Sequence, residues 1–299
     1  MSIPYTSPKI TIGIPFYNCE ETLADTVRSV FAQSFQDWEL ILLDDGSTDN
    51  SLAIAKSIND ERVRVISDGI NKGIGARRHQ IVELASADFL AWQDADDLMH
   101  PERLTIQYDY LQKYSNIGLV DAWSYLIDTA NNIVGISRLK PLDLHYEDLI
   151  RGPVLTNGTS LGRIELYRNN QFDPSFNLVE DWDVWVRAFK SYQFGRIPQP
   201  LYFRRYVSSD GRLFELKQWR HLPYARRIML TYGPKMIGWK RTLSALADYH
   251  IRLIARTLLS IAGLERLRPG SHGRMISEDE KIVATTAVNQ IINTTVLGF

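Results

Sequence analysis

The chain has a single cysteine, Cys19, in 299 residues. It cannot close an internal disulfide, so the fold rests on packing and suits a reducing compartment. Its neighbours supply no base, and it reads as a small packed residue. No stretch reaches the roughly 18 uncharged apolar residues of a membrane-spanning helix. Met1 to Lys9 lacks the basic and apolar regions of a signal peptide. The expectation is a cytoplasmic chain, or one held peripherally on the inner face of a membrane. Glycine is missing where nucleotide folds need it. Pro15-Phe16-Tyr17-Asn18 follows the first apolar run without the G-x-G-x-x-G of a dinucleotide site, Gly73-Ile74-Gly75 is too short and misplaced to replace it, and no G-x-x-x-x-G-K-[ST] loop occurs. The six histidines show no paired metal spacing, so no structural zinc is expected.

The remaining composition, 44% hydrophobic and 23% charged, is that of a globular protein. The length suits one large α/β domain with an appendage, or two domains. Apolar runs at Ile10–Pro15, Glu39–Leu43, Val63–Ile66, up to Gln93 and Leu119–Ala122 predict strands. Between them, Glu20–Gln33, Asp49–Ile58, Ile74–Ala85 and Pro101–Tyr114 read as helices. Such alternation implies a mainly parallel sheet flanked by helices, with ligands beyond the carboxyl ends of the strands.

At one such end stands Phe89-Leu90-Ala91-Trp92-Gln93-Asp94-Ala95-Asp96-Asp97. Like charges this close repel, and a hard divalent cation, Mg²⁺ or Mn²⁺, would remove the conflict through oxygen ligands. The alternative is a solvated turn capping the next helix. Asp44-Asp45-Gly46-Ser47-Thr48-Asp49 leaves the second strand, and here too each residue has a structural reading: Asp49 as a helix cap, Gly46 as a turn residue. The convergence of these segments and Pro15–Asn18 on one sheet edge is harder to explain structurally.

In this order and spacing the motifs resemble the inverting family 2 glycosyltransferases of the GT-A fold. The matching pieces are Ile14 to Asn18, Glu39 to Asp49, Asn71-Lys72-Gly73 with Ala76-Arg77, Asp94 to Asp97, and Gln171-Phe172-Asp173 followed by Glu180 to Arg187. They cover roughly residues 9–206. The resemblance implies a catalytic domain over 1–206, with 9–123 binding the nucleotide-sugar and 124–206 the acceptor, and a basic, mostly helical region over 207–299. It implies that Pro15 and Tyr17 line the base pocket and that Asp45 accepts from the N3–H of uracil or thymine. Asn18, Asp44, Asn71, Gly73, Arg77 and Asp94 would border the nucleotide. Asp96 would meet the ribose or the metal, and Asp96 or Asp97 would hold Mg²⁺ or Mn²⁺ on the diphosphate. Asp181 falls where the family keeps its general base. Inverting transfer needs a carboxylate to take the acceptor proton, and Glu180, Trp182 and Asp183 could raise the pKa of Asp181 and strengthen it. Its structural alternative is an acidic residue in the first turn of a helix that buries Trp182 and Trp185. Arg187 either supports that cluster or lies on the surface.

Relatives often place a histidine after a Tyr-Arg segment; here Tyr202-Phe203-Arg204-Arg205-Tyr206 ends in tyrosine, leaving Arg204 or Arg205 as fixed charges for a diphosphate. Candidates for the acceptor side are Trp182, Glu180, Thr159 and Arg163, with Tyr125 and Asn157. The expected activity is metal-dependent transfer from a UDP- or dTDP-sugar to a hydroxyl of a glycan, free or lipid-linked, as in surface polysaccharide synthesis. Two alternatives are a non-catalytic nucleotide-sugar-binding or scaffolding subunit of a membrane assembly, and a nucleotidyltransferase. The latter wants a glycine-rich basic loop after strand one, absent here.

The net charge of −1 hides an asymmetry. Residues 1–203 carry 18 Lys/Arg against 28 Asp/Glu, and residues 204–274 carry 15 against 4. A basic segment of that size suits phosphates or a membrane surface, or docks on the acidic domain. Nucleic acid is not expected, for no recognition module accompanies the charge. Residues 236–264 read as one or two helices. Leu243, Ile254, Leu258 and Ile261 lie within about 80° of arc, with Arg241, Arg252 and Arg256 opposite. Together with Lys235, Trp239 and Arg266-Leu267-Arg268 they suit an interfacial helix, or an ordinary one packed on the catalytic domain.

Overall fold

The computed structural model describes residues 7–140, 142–176, 178–206, 211–264 and 275–299. The chain opens with β1 (Ile10–Phe16), α1 (Leu23–Phe31), β2 (Trp38–Asp44), α2 (Ser51–Ser57), β3 (Val63–Ile66), α3 (Ile74–Leu84) and β4 (Phe89–Trp92). It continues through β5 (Leu98–Met99), α4 (Arg103–Lys113), β6 (Ile117–Ile127), β7 (Ile133–Ser137), α5 (Tyr146–Arg151), β8 (Leu161–Arg163), α6 (Ile164–Asn169), α7 (Glu180–Ala188) and β9 (Gln193–Arg205). Three longer helices follow: α8 (Gly211–Met236), α9 (Trp239–Ile261) and α10 (Glu278–Ile292).

The strands form one sheet in the order β3-β2-β1-β4-β8-β6-β9-β5, with β7 pairing β6. The alternating half of the chain supplies the parallel part, β3-β2-β1-β4. Beyond it β8 runs antiparallel to β4 and β6, while β9 lies parallel to β6. Every residue of β1, β2 and β4 is buried. That is why they read as continuous apolar runs, as strands covered on both faces do. Ile10, Ile12, Ile14, Leu40 and Leu42 pack under α1 on one face. Ile41 and Leu43 join α3 and α7 on the other. Gly13 permits the second layer, because a Cβ there would stand 2.7 Å from Cγ2 of Ile81 and 3.0 Å from the Trp92 ring.

The order reverses at β1, with β2 on one side and β4 on the other, so a crevice opens beyond their carboxyl ends. Arg103, wholly buried, fixes that edge by donating to the carbonyls of Trp92 (2.9 Å) and Ser160 (3.0 Å) and to Gln93 Oε1 (3.1 Å). Burial pulls its guanidinium down to about 10, still charged at neutral pH.

Behind the crevice, Asp121 of β6 and Arg196 of β9 face each other in register. Their 2.6 Å ion pair leaves the carboxylate fully buried. Arg196 also donates to the carbonyls of Val154 and Lys140, and Asp121 accepts from Thr156 N. One pair thus ties two strands to the loop before β8.

The last helices return to this body. Tyr232 of α8 donates to Asp183 of α7 at 2.6 Å. A Ser277–Glu280 capping box starts α10, whose Ala284, Ala287, Val288 and Ile291 pack with Leu98, Tyr125 and Phe203. The apolar stripe of α9 faces away from the protein. Thr242, Ala245, Leu253 and Ser260 face the protein, while Leu243, Ile254, Leu258 and Ile261 face out. Arg266-Leu267-Arg268 lies outside the described residues.

Arg196→Met should cost about 3–5 kcal/mol, because it strands the Asp121 carboxylate in the core. Urea unfolding measures this, and the double variant Asp121→Leu/Arg196→Met should recover most of the loss. A deficit below about 1 kcal/mol for the single variant, the size of an exposed pair, would rule out this role.

Candidate functional site

The crevice is a cleft of about 830 Å³. One wall is the loop after β1, where Pro15, Tyr17 and Asn18 line it. Tyr17 is 49% exposed, its ring open for stacking. Asn18 takes a left-handed φ of 46°, which asparagine tolerates. Its Oδ1 accepts from Thr48 N at 2.8 Å and its own N–H donates to Ser47 Oγ at 3.1 Å, zipping the loops after β1 and β2 together.

The second wall is acidic. Asp94 and Asp96 line the cleft, and their loop is held from below by Thr22 and Thr26 of the α1 segment, both donating to the carbonyl of Ala95. Gly158 packs against Asp94 and the Tyr202 hydroxyl so closely that a Cβ would collide with both. Asp97, expected among the metal ligands, does not line the cleft. Its carboxylate is buried and accepts from Arg205 N at 2.6 Å. Burial raises its pKa well above the carboxylate range, reinforced by the charges of Asp96 and Asp94.

The third wall is the start of α7, with Glu180 and Asp181. Asp181 accepts from Trp182 N at 2.7 Å. Burial raises its pKa to about 6, with Glu180 adding to the shift and Arg78 opposing it. Carboxylates at a helix N-terminus are normally favoured by the dipole; here desolvation outweighs that. Leu178, also on this wall, has a φ of 69°, a left-handed backbone that costs a bulky residue about 1–2 kcal/mol.

Arg78 joins the second and third walls. It pairs with Glu180 at 2.5 Å and with Asp94 at 3.7 Å. Its Nε and Glu180 Oε2 are buried without a partner among the described residues. One guanidinium thus faces Asp94, Glu180 and Asp181, which leaves the cleft net negative. The sequence pointed to Arg77 instead. Consecutive helix residues point 100° apart, so only one of the two can face the cleft, and nothing local says which.

Arg77 is fully buried elsewhere. It pairs with Asp45 at 2.9 Å and Asp68 at 2.6 Å, and donates to Gln80 and to the Ile70 carbonyl. Asp45 also accepts from Lys72 N (2.7 Å) and Gly73 N (3.1 Å). These two residues shape the 68–73 loop rather than line the cleft. Asp44 is likewise internal, accepting from Ser47 N at 2.9 Å and Ser67 Oγ at 2.7 Å. Burial opposes its ionisation, but those bonds prevail and hold its pKa low. Asn71 and Gly73 lie on the loop that Asp45 and Arg77 hold, outside the cleft lining; Gly73 has a φ of 84° at the start of α3.

Most acceptor candidates fall away from the cleft. Trp182 is core, with Nε1 donating to Leu149 O at 2.6 Å. Thr159 is fully buried and bonded to Thr156 O. Arg163 sits at the opposite end of β4, donating to the carbonyls of Ile117 and Leu111. Tyr125 stacks on Phe203 beside α10. Asn157 is buried with both amide atoms unpartnered among the described residues, next to Gly158. Glu180 alone of these lines the cleft. Arg187 supports the acidic helix, pairing with Asp183 at 2.6 Å. Arg205 donates from Nε to the Asp96 carbonyl at 2.8 Å and so braces the acidic loop from behind.

Among the described residues no group of three or more His, Cys, Asp or Glu gathers as a metal cage. The two cleft carboxylates, Asp94 and Asp96, are oxygen donors of the kind Mg²⁺ or Mn²⁺ takes when phosphate and water complete the shell.

The comparisons agree with this architecture. EpsE of Bacillus subtilis (strain 168), whose name puts it among glycosyltransferases, is 33% identical over 191 residues, covering 62% of this chain and 68% of EpsE. The Escherichia coli UDP-Glc:alpha-D-GlcNAc-diphosphoundecaprenol beta-1,3-glucosyltransferase WfgD is 28% identical over 190 residues, covering 63% and 72%. S. aureus TarS 1-349 in complex with UDP-GlcNAc superposes with a TM-score of 0.60 at 16% identity, over 96% of this chain and 81% of that one. The mannosyltransferase PcManGT of Pyrobaculum calidifontis, in complex with GDP-Man and Mn2+, gives 0.63 at 15% identity, over 97% and 86%. At such identities the structures speak for the GT-A fold alone. The family profile described as Glycosyl transferase family 2 matches residues 11–169, more than half of the chain, and the protein belongs to that family of glycosyltransferases.

Proposed function

We propose that the protein is an inverting glycosyltransferase of polysaccharide synthesis. It would move a sugar from a UDP- or dTDP-sugar to a hydroxyl of a glycan acceptor, carried on lipid at a membrane surface. The observation that carries this reading is the placement of Asp181 across one cleft from Asp94 and Asp96. That arrangement separates a proton acceptor from the wall where a diphosphate would leave. WfgD, by its name, uses UDP-Glc on a diphosphoundecaprenol-linked sugar, and a B. subtilis relative, TuaG, is named for teichuronic acid biosynthesis.

In this reading Tyr17 stacks on the nucleobase and the backbone at Pro15 meets its edge. Asp96, with Asp94, would hold a divalent cation, which would supply positive charge against the charge developing on the leaving group. Asp181 takes the acceptor hydroxyl proton while the oxygen forms its bond to the anomeric carbon. The bond from that carbon to the diphosphate oxygen breaks on the opposite face, and its electron pair leaves with the nucleotide. A pKa near 6 suits the task, since the group is ionised at neutral pH yet more basic than an ordinary carboxylate. Arg78 bridges Glu180 and Asp94 as a positioning residue, and the unpartnered Arg78 Nε and Glu180 Oε2 suit a sugar hydroxyl.

Calorimetric titration with UDP and dTDP tests the donor assignment directly. Binding in Mn²⁺ should collapse in EDTA, and Asp96→Asn should abolish the difference between the two conditions. Equal affinity with and without the ion in the wild type would remove the metal from the mechanism.

Asp181→Asn should lower kcat on the order of 10²–10⁴-fold with nucleotide affinity unchanged. Because the raised carboxyl must be ionised to act, wild-type kcat should fall as pH drops through about 6. Wild-type turnover in the variant would sink the base assignment.

Arg78→Gln removes the charge that pulls the Asp181 pKa down, so the acidic limb of the kcat profile should move to higher pH. Arg78→Lys should return it part of the way. A profile unmoved in both variants would reduce Arg78 to a packing role.

A further inference from the structure

In α9 the small and polar residues Thr242, Ala245 and Ser260 lie inward with Leu253. Its large apolar side chains point outward: Leu243 is 55% exposed, Ile251 65%, Ile254 47%, Leu258 60% and Ile261 60%. At 100° per residue these five fall within about 80° of arc, a continuous stripe on the outside of the molecule. Trp239, 63% exposed, opens the helix. Trp219 of α8 is moored beside the stripe by its Nε1–H, which donates to Thr257 Oγ1 at 3.0 Å. Isolated exposed apolar residues need no explanation, but a stripe of this length does.

Among the described residues, the charge left without an ion-pair partner around it is positive. Arg241 and Arg252 are paired with Glu147 and Asp248. Arg220, Arg226, Lys235 and Lys240 are exposed, with no carboxylate partner among the described residues. Lys240 falls within the arc of the stripe itself, and Arg226 belongs to the outer side of α8 between Trp219 and Leu230.

We propose that this face docks the protein on an anionic lipid surface, with α9 lying in the plane of the interface. A helix of 23 residues would run about 34 Å along the bilayer. No helix among the described residues is long and apolar enough to cross it. Apolar side chains enter the headgroup–acyl boundary while the lysines and arginines meet the lipid phosphates. Charge decides between this occupant and a second copy of the chain. Two such faces brought together would oppose Arg226 and Lys240 sets without a carboxylate to pair them, whereas an anionic surface satisfies both. The inference deepens the functional reading, on which it rests for the lipid-linked acceptor, and α8 joins the docking face to the helix of Asp181 through Tyr232 and Asp183.

The test is flotation of the full chain with phosphatidylcholine vesicles, with and without phosphatidylglycerol, alongside UDP titration of the same samples. The wild type should float with the anionic vesicles and not with phosphatidylcholine alone. Ile254→Ser/Leu258→Ser, both on the outer face, should lower vesicle partitioning roughly tenfold or more and leave UDP affinity and the circular dichroism spectrum unchanged. Arg226→Gln and Lys240→Gln should each lower it roughly fivefold, with weaker salt dependence. Flotation equal in the wild type and the Ile254/Leu258 variant, or no flotation of the wild type, would overturn the proposal. So would a wild-type dimer in sedimentation that this double variant dissolves, which would give the face to a second copy. Flotation without UDP binding would leave the lipid surface standing and refute a UDP-sugar donor instead.

Discussion

Negative charge crowded beyond the carboxyl ends of β1 and β4 is the constraint from which the site's architecture follows. Asp94, Asp96 and Asp97 leave one strand, and Glu180 and Asp181 begin a helix that faces them. In water such a group would repel itself apart; here the backbone holds it in place. The fold relieves the repulsion in three ways. Asp97 turns inward, where burial and its neighbours raise its pKa. Glu180 and Asp94 share the Arg78 guanidinium. Asp181 keeps its place with its ionisation displaced toward neutral pH. What remains is a surplus of negative charge on the cleft wall, and such a surplus raises the local concentration of cations.

A second pair of carboxylates shows how similar residues serve different ends. Asp44 and Asp45 close β2 as Asp94 closes β4, yet neither lines the cleft. Asp44 gathers Ser47 and Ser67, and Asp45 gathers Lys72, Gly73 and Arg77. A strand that ends in a tight turn leaves backbone N–H groups without ladder partners, and a buried carboxylate accepts several at once. The outcome is a pair of hydrogen-bonded loops behind Tyr17 and Asn18, with the Tyr17 ring exposed at the mouth of the cleft.

The parallel half of the sheet was legible because strands buried on both faces must be apolar throughout, and β1, β2 and β4 are. Helix–strand alternation then placed the cleft, and Pro15, Tyr17, Asn18, Asp94, Asp96, Glu180 and Asp181 came together there. Direction was what the sequence concealed. Arg77 and Arg78 are adjacent, and the packing of α3, with Ile81 over Gly13 and Gly75 against Glu180, turns one to the 68–73 loop and the other to the acidic wall. Asp96 and Asp97 differ in the same way. Thr159 and Trp182 are candidates for the acceptor side in the sequence, but the antiparallel strands β8 and β6 and the helix α5 draw their side chains into the core. In α9 the stripe was visible in the sequence, while its outward direction depends on which side Gly233 and Thr242 bring against α8. A Cβ on that glycine would stand 2.6 Å from the threonine hydroxyl, and this close approach, with Ala245, Leu253 and Ser260 turned inward, sets the phase of the helix.

The helix that carries Asp181 is held from both ends of its first turn. In front, Arg78 pairs with Glu180; behind, Asp183 is fully buried and takes Arg187 and the Tyr232 hydroxyl. Burial and the Asp183 carboxylate push the tyrosine pKa upward, so the hydroxyl stays a donor across the accessible range. Without it, Asp183 would still have Arg187, but α7 would lose this hydrogen bond to α8 and keep only the apolar packing. The helical tail is therefore part of the support of the site. The proposed base, braced through Tyr232 of α8, and the stripe proposed to meet lipid on the adjoining α9 belong to one packed unit, since Gly233 of α8 lies directly against Thr242 of α9. Such a unit fixes the orientation of the cleft relative to whatever surface the tail meets, and an acceptor hydroxyl presented from that surface would meet Asp181 at an angle set by packing alone.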